Sequence, residues 1–338
     1  MLAKVACLLV SLLWVSLALG YSPPEDAGEV LVVSPEMRAY FSQYVDPRAT
    51  VFARTTAIVD AVLDEDKFNF HYDWEGVWHP QEVFRTRKGN CVSFSLLVGA
   101  LFKEFGVEAT FQQVHLFRTQ WTTIGDCVAE VGHINLTVED YSQVYTIDFS
   151  RILGAEQVSQ QPHPMTEDAA VALFYSNYGI HAYARKDPDG LKWLRKAVEV
   201  DSNYLTNSNL GTAYLYEHRD LEARKYLELA RTFRKDSRIY SLLASAERRL
   251  GNLELAAEYE KKARRYLDSN PFYHFAAARD LFNKGDFSRA EEKVDQALRL
   301  RTELSFLELK VEILGKLGKD SSSVQRKILR LRKAEPPS

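Results

Sequence analysis

Cysteine is scarce, with three in 338 residues: Cys7, Cys91 and Cys127. So few excludes a scaffold built on disulfides. The chain has no calcium-loop pattern and no cluster of histidines and cysteines at metal-ligand spacing. No metal and no cofactor is therefore expected. Past residue 20 there is no apolar run of the ~20 residues that a membrane-spanning helix needs. Strong net charge is missing too, at −3 overall, and nothing in it asks for a nucleic-acid partner. Hydrophobic content of 46% with 26% charged residues excludes a disordered chain.

The first twenty residues differ from the rest. Lys4 precedes an apolar stretch, Val5–Leu19, interrupted only by Ser11 and Ser16, and Ala18-Leu19-Gly20 has the small-x-small form of a cleavage site. This predicts a secretory signal peptide over 1–20 and an exported protein, periplasmic or secreted, with no integral span after cleavage. An uncleaved anchor is the alternative. Cleavage would remove Cys7 and leave Cys91 and Cys127, which can pair with each other or leave Cys91 free.

Charge divides the remainder. Residues 21–160 hold 20 acidic and 10 basic side chains, whereas residues 161–338 hold 26 and 32. The asymmetry supports two domains. Residues 21–40, rich in Pro, Glu and Asp, read as a lead-in arm, 41–160 as a mixed α+β domain, and 165–334 as an all-helical one.

In the first domain, Phe94, Leu97, Val98, Leu101, Phe102 and Phe105 recur at helical steps behind Gly89-Asn90-Cys91. Asn90 fits the N-cap and Gly106 the stop. Cys91 then lies in the first turn, where unpaired N–H groups and the helix dipole stabilise a thiolate. A buried cysteine that only packs is the alternative. Five aromatics between Phe68 and Trp78 either fill the core or line a cleft. Arg85, Arg87 and Lys88 either support a thiolate or are solvated loop charges.

Glu108–His115 reads as a strand, followed by a loop through Arg118–Cys127. Val131–Val138 alternates strictly, with His133, Asn135 and Thr137 on a polar face and Ile134, Leu136 and Val138 on a core face. Gln143–Phe149 is the next strand, and Glu139–Ser142 would be a four-residue hairpin loop. A symmetric register sets Val138 opposite Gln143 and His133 opposite Asp148. A carboxylate there would accept a ring N–H and leave the other nitrogen for a thiol proton. A polar surface pair is the plainer alternative, and a one-residue slip would separate the two.

Cys91 in Gly-Asn-Cys-Val-Ser-Phe-Ser, His133 in Gly-His-Ile-Asn-Leu and Asp148 in Tyr-Thr-Ile-Asp-Phe are spaced 42 and then 15 residues apart. Together they resemble the transglutaminase-like superfamily over roughly residues 40–155, most closely its exported bacterial members joined to helical repeats. The resemblance implies a papain/transglutaminase-like α+β fold. It makes Cys91 the nucleophile, His133 the general base and Asp148 its orienting partner. It implies thiol attack on an amide carbonyl, an acyl-enzyme, and transfer to water or an amine. The Cys91 N–H would supply part of the oxyanion hole. Trp78, Gln81 and Gln112 are the candidates for the second donor or a substrate contact. The superfamily also has members without activity.

Beyond Pro162–Pro164 the periodicity is helical throughout. Ala197, Ala230, Ala263 and Ala297 are spaced 33, 33 and 34 residues apart, with Ala223, Ala256 and Ala290 seven residues ahead of the last three. Breaker pairs such as Gly251-Asn252 and Gly285-Asp286 fall between helices. The pattern resembles the tetratricopeptide repeat, an all-α solenoid of helix–turn–helix units, with four clear repeats and a degenerate fifth around Leu304–Leu331. By that resemblance Arg238, Arg248, Arg249, Arg279, Phe282 and Asn283 face a groove for an acidic or C-terminal peptide, unless the arginines are solvated. The expected protein is an exported thiol amidase, peptidase or acyltransferase whose repeats recruit a protein partner or substrate. A catalytically inert periplasmic scaffold is the rival, and a cell-wall amidase a further variant of the first.

Overall fold

Cys91 opens its helix as the sequence requires. The computed structural model describes residues 21–73, 76–114, 120–124, 127–131, 133–141, 143–148 and 163–334. Residues 1–20, expected as a signal peptide, Trp74 and residues 149–162 lie outside these. The chain divides into two compact units, Met1–Leu210 and Gly211–Ser338.

In the first unit, α1 (Pro35–Phe41) is capped by the Ser34 hydroxyl and α2 (Val51–Leu63) by that of Thr50. A short parallel pair, β1 (His71–Tyr72) with β2 (Lys88–Gly89), brackets α3 (Pro80–Thr86). The Cys91 helix, α4, runs Cys91–Glu104 and stops where Gly106 takes φ +68°. Both sides of α4 are apolar, so it is buried nearly all round: Phe94, Leu96, Leu97, Val98, Leu101 and Phe102 have no exposure.

The sheet beside it is antiparallel, in the order β7 (Gln143–Ile147), β6 (His133–Asp140), β3 (Ala109–Val114), β8 (His163–Met165). A methyl group on Gly99 of α4 would lie 2.5 Å from the Phe111 ring, so the missing side chain is what lets the helix lie on the sheet. The Ser95 hydroxyl donates to the Ile134 carbonyl at 3.1 Å across the same contact.

Two strand expectations need correction. The segment expected as a loop through Arg118–Cys127 carries β4 (Gln120–Ile124) and the first residue of its antiparallel partner, β5 (Cys127–Val131). The β6–β7 register also differs. Val138 pairs with Tyr145 and Asp140 with Gln143, so two residues rather than four separate the paired strands. Tyr141 takes φ +55°, a conformation its residue type does not announce. The slip is two residues rather than one, so every side chain keeps its face. The polar face is not a surface either, since His133, Asn135 and Thr137 are all buried.

The first unit also takes in α5 (Glu167–Ala184) and α6 (Gly190–Val200), because α5 packs on α4 and on the β4–β5 ribbon. The lead-in arm belongs to this unit as well. The Tyr178 hydroxyl donates to the Tyr21 carbonyl and that of Tyr175 to the Pro24 carbonyl, each at 2.7 Å.

The division at Leu210 runs through α7 (Tyr204–Tyr216). The second unit continues with helices in hairpins: α8 (Asp220–Phe233), α9 (Ser237–Arg249) with α10 (Leu253–Asp268), α11 (Pro271–Asn283) with α12 (Phe287–Leu300), and α13 (Leu304–Lys316) with α14 (Ser322–Ala334). The periodic alanines Ala223, Ala230, Ala256, Ala263, Ala290 and Ala297 are all buried on the second helix of their pair. Each hairpin turn holds one residue at positive φ: His218, Gly251, Gly285 and Gly318.

Gly99→Val tests the helix–sheet contact. It should lower stability by about 1–3 kcal/mol through overpacking against Phe111, read as a lower urea midpoint at unchanged slope. An unchanged midpoint would show that the contact is not tight.

Candidate active site

The start of α4 is built from several fixed groups. The Asn90 side-chain oxygen accepts from Val92 N–H at 3.0 Å and Ser93 N–H at 3.1 Å. Such a cap stabilises a helix by ~1 kcal/mol. The Cys91 N–H, one position earlier, has no acceptor within the helix and points out of its N-terminus. Below it the Ser93 hydroxyl accepts from the Trp78 N–H at 2.8 Å and donates to the Gly76 carbonyl at 3.0 Å. That carbonyl also accepts from Asn90 N–H at 2.8 Å. A methyl on Gly89 would lie 2.5 Å from the Ser93 Cβ, so glycine is needed for the approach. Tyr21 closes the far side of this loop. Its ring meets Trp78 edge-on at 4.7 Å, and its hydroxyl lies 2.8 Å from His79 Nδ1.

Cys91 is a free thiol, 5% exposed. His133 Nε2 lies 3.2 Å from Asp148 Oδ1, and Asn135 Nδ2 donates to Asp148 Oδ2 at 3.0 Å. The shorter turn sets Asp148 beyond the Leu136–Ile147 pair, opposite Asn135 and diagonal to His133. Diagonal neighbours on one face are within side-chain reach. Cys91 lies close enough to act on the His133 ring. The three residues chosen from spacing are therefore brought together in the order Cys91–His133–Asp148. Burial disfavours a charged His133 ring. The Cys91 charge and the bond to Asp148 outweigh it and raise its pKa to about 10.

The weaker candidates scatter. Trp78 is half-buried beside the first turn of α4. Gln81 is exposed and reaches the Val32 carbonyl at 3.4 Å. Gln112 is the cross-strand partner of Asn135 and donates to the Thr137 hydroxyl at 3.1 Å. Arg85 pairs with Glu82, and Arg87 caps α3 with its guanidinium over the Phe68 ring. Phe68 and Phe70 are core residues. Tyr72, one of the five aromatics read as core or cleft lining, pairs with Gly89 in parallel register. Burial and then the Cys91 charge push its phenol up to about 12. No local motif announces it, because a two-residue parallel bridge leaves no pattern. Among the described residues, no three His, Cys, Asp or Glu side chains gather as a metal site.

In the second unit the expected groove residues are largely engaged with neighbours. Arg248 pairs with Glu260 of α10. Arg249 donates to the Leu215 carbonyl and to Asp220 Oδ1, the latter at 3.4 Å. Arg238 reaches the Thr212 hydroxyl at 3.3 Å, and Arg279 lies over the Phe275 ring at 5.8 Å. Phe282 packs into the Ala278–Ile313 core and against Phe287, while Asn283 is exposed. The pairs of Arg248 and Arg249 link one helix to the next, which the sequence pattern did not anticipate.

No protein-family model and no curated protein matches the chain. Among solved structures, the APC/C hetero-tetramer Cut9–Hcn1 is similar at 17% identity over 48% of this chain, with a TM-score of 0.28. The match covers 34% of that chain, about a third of its length. Pseudomonas aeruginosa PilF is similar at 18% identity over 50% of this chain and 83% of its own, with a TM-score of 0.28. Superpositions of that quality define neither the fold nor the activity of this chain.

The raised His133 pKa sets a pH dependence. A group whose pKa is higher folded than unfolded contributes stability that is full below the unfolded value, 6.5, and is lost as pH rises through about 10. The urea midpoint should therefore fall across that window, and His133→Gln should flatten the fall. An equal slope in both proteins would refute the charged ring.

Proposed function

We propose that the first unit is a thiol-dependent amide hydrolase or acyltransferase of transglutaminase-like type. The observation that carries the proposal is His133, which lies 3.2 Å from the buried Asp148 and close to Cys91 at a helix N-terminus. In the reaction the Cys91 sulfur attacks an amide carbonyl carbon. The oxyanion is met by the Cys91 N–H. His133, protonated by the thiol, passes that proton to the departing amine, leaving a thioester. His133 then takes a proton from water, or from an acceptor amine, as it attacks the thioester, and returns it to the thiolate. Asp148 keeps the imidazolium oriented throughout. Hydrolysis is the preferred outcome, because water needs no acceptor site. The helical hairpins, read as tetratricopeptide repeats, serve as a platform for a protein or peptide partner. The site of action is outside the cytoplasm, by the leader at 1–20.

The burial of the site favours a second reading. With Cys91 at 5%, His133 at 4% and Asp148 at 3% exposure, a domain that only binds, beside working repeats, also fits. Iodoacetamide separates the two. For the enzyme, Cys91 in the native, reduced protein should be alkylated at pH 7, and His133→Gln should slow this at least about ten-fold. An inert Cys91 in the folded protein, labelled only after denaturation, would leave the scaffold.

A further inference from the structure

The Asp148 carboxylate has two oxygens, and the sheet gives each a different donor. Oδ1 faces the His133 ring at 3.2 Å and Oδ2 takes the Asn135 amide at 3.0 Å. We propose that Asn135 is a positioning residue for this site: it grips one oxygen of Asp148 so that the other is aimed at His133. The inference rests on reading Cys91, His133 and Asp148 as one site.

The chemistry fixes how the Asn135 amide is turned. A carboxylate only accepts, so the NH2 end must face Asp148. The carbonyl end is then directed away, and Asn135 Oδ1 is buried with no partner among the described residues. Asn135 is 1% exposed. A buried amide with an unpaired carbonyl is a burden to stability, and an apolar strand residue would avoid it. What the amide supplies in return is the bond to Asp148. The χ2 torsion of an aspartate is broad, and a carboxylate held at one oxygen alone can swing. The second grip removes that freedom and stabilises the ionised form.

The strand geometry provides this at no extra element. His133 and Asn135 are alternate residues on one face of β6, and the observed register sets Asp148 across from Asn135. With the four-residue loop expected from sequence, Asp148 would oppose His133 directly and Asn135 would pair with Thr146. The tight turn at Tyr141 thus creates the grip.

Among the described residues, the groups that act on His133 are Cys91 from α4 and Asp148 following β7. On β3 the residues opposite are Val114 and Gln112, which do not titrate. Tyr72 on β1 lies in the field of Cys91.

The test is an NMR titration of the full chain labelled at its 8 histidines, with His133→Gln assigning the resonance. Wild type is compared with Asn135→Leu. In the variant the His133 proton should bind at least about ten-fold more weakly, a fall of about one pH unit. If Asn135→Leu does not fold, Asn135→Ala is read in the same way. A purely structural amide would lower the thermal midpoint and leave His133 titrating within about 0.3 units of wild type, and that result overturns the proposal. Iodoacetamide labelling of wild type is run alongside. An inert Cys91 would refute the catalytic reading, while the titration would still decide the role of Asn135.

Discussion

Burying the Asp148 carboxylate is the constraint on which the rest of the first unit depends. Its side chain has no exposure, and a bare carboxylate in such a place would take up a proton rather than stay charged. Donors must therefore come to it, and β6 supplies them from alternate positions, His133 and Asn135. Supplying them obliges the face of the sheet that carries polar side chains to be buried as well. That obligation explains why His133, Asn135 and Thr137 are as enclosed as Ile134, Leu136 and Val138. Once enclosed, His133 sits where the charge of Cys91 acts on it undiluted by water.

The other half of the site depends on backbone satisfaction at the start of α4. Asn90 answers two of the free N–H groups and Ser93 ties the turn to Gly76 and Trp78. Those bonds hold the loop that Tyr21 in turn packs against. The arm from Tyr21 to Glu25 reaches α5 and α6 through Tyr178, Tyr175 and Lys192. The first helical hairpin therefore shares a compact unit with the sheet and the Cys91 helix. In the second unit the organising constraint is simpler. Small buried residues on α8, α10 and α12 let these pairs approach, and a positive-φ residue closes each turn.

Much of this was legible. The α4 boundaries, the Asn90 cap, the alternation of β6 and the period of the helical hairpins follow from local patterns, because each reports a periodicity or a backbone need within a few residues. The proximity of His133 and Asp148 was legible for a subtler reason. The hairpin register inferred from sequence was off by two, yet parity was preserved, so His133 and Asp148 stayed on one face. The engagement of Arg248 and Arg249 was not legible, since a charge on a repeat helix carries no mark of whether its partner is solvent or the next helix.

The sequence by itself determined that a capped helix begins at Cys91, that His133 and Asp148 share a strand face, and that small residues recur every 33 or 34 positions. Period and capping are local, and residue types record them. Only the tertiary structure decided that Asp148 opposes Asn135, that Tyr72 lies beside Gly89, and that Tyr21 braces the loop under Ser93. These depend on turn length, strand register and side-chain reach between segments distant in the chain. Nothing in the identity of one residue encodes the distance to a partner 50 or more positions away, such as His79 from Tyr21. That distance exists only once the intervening chain has packed.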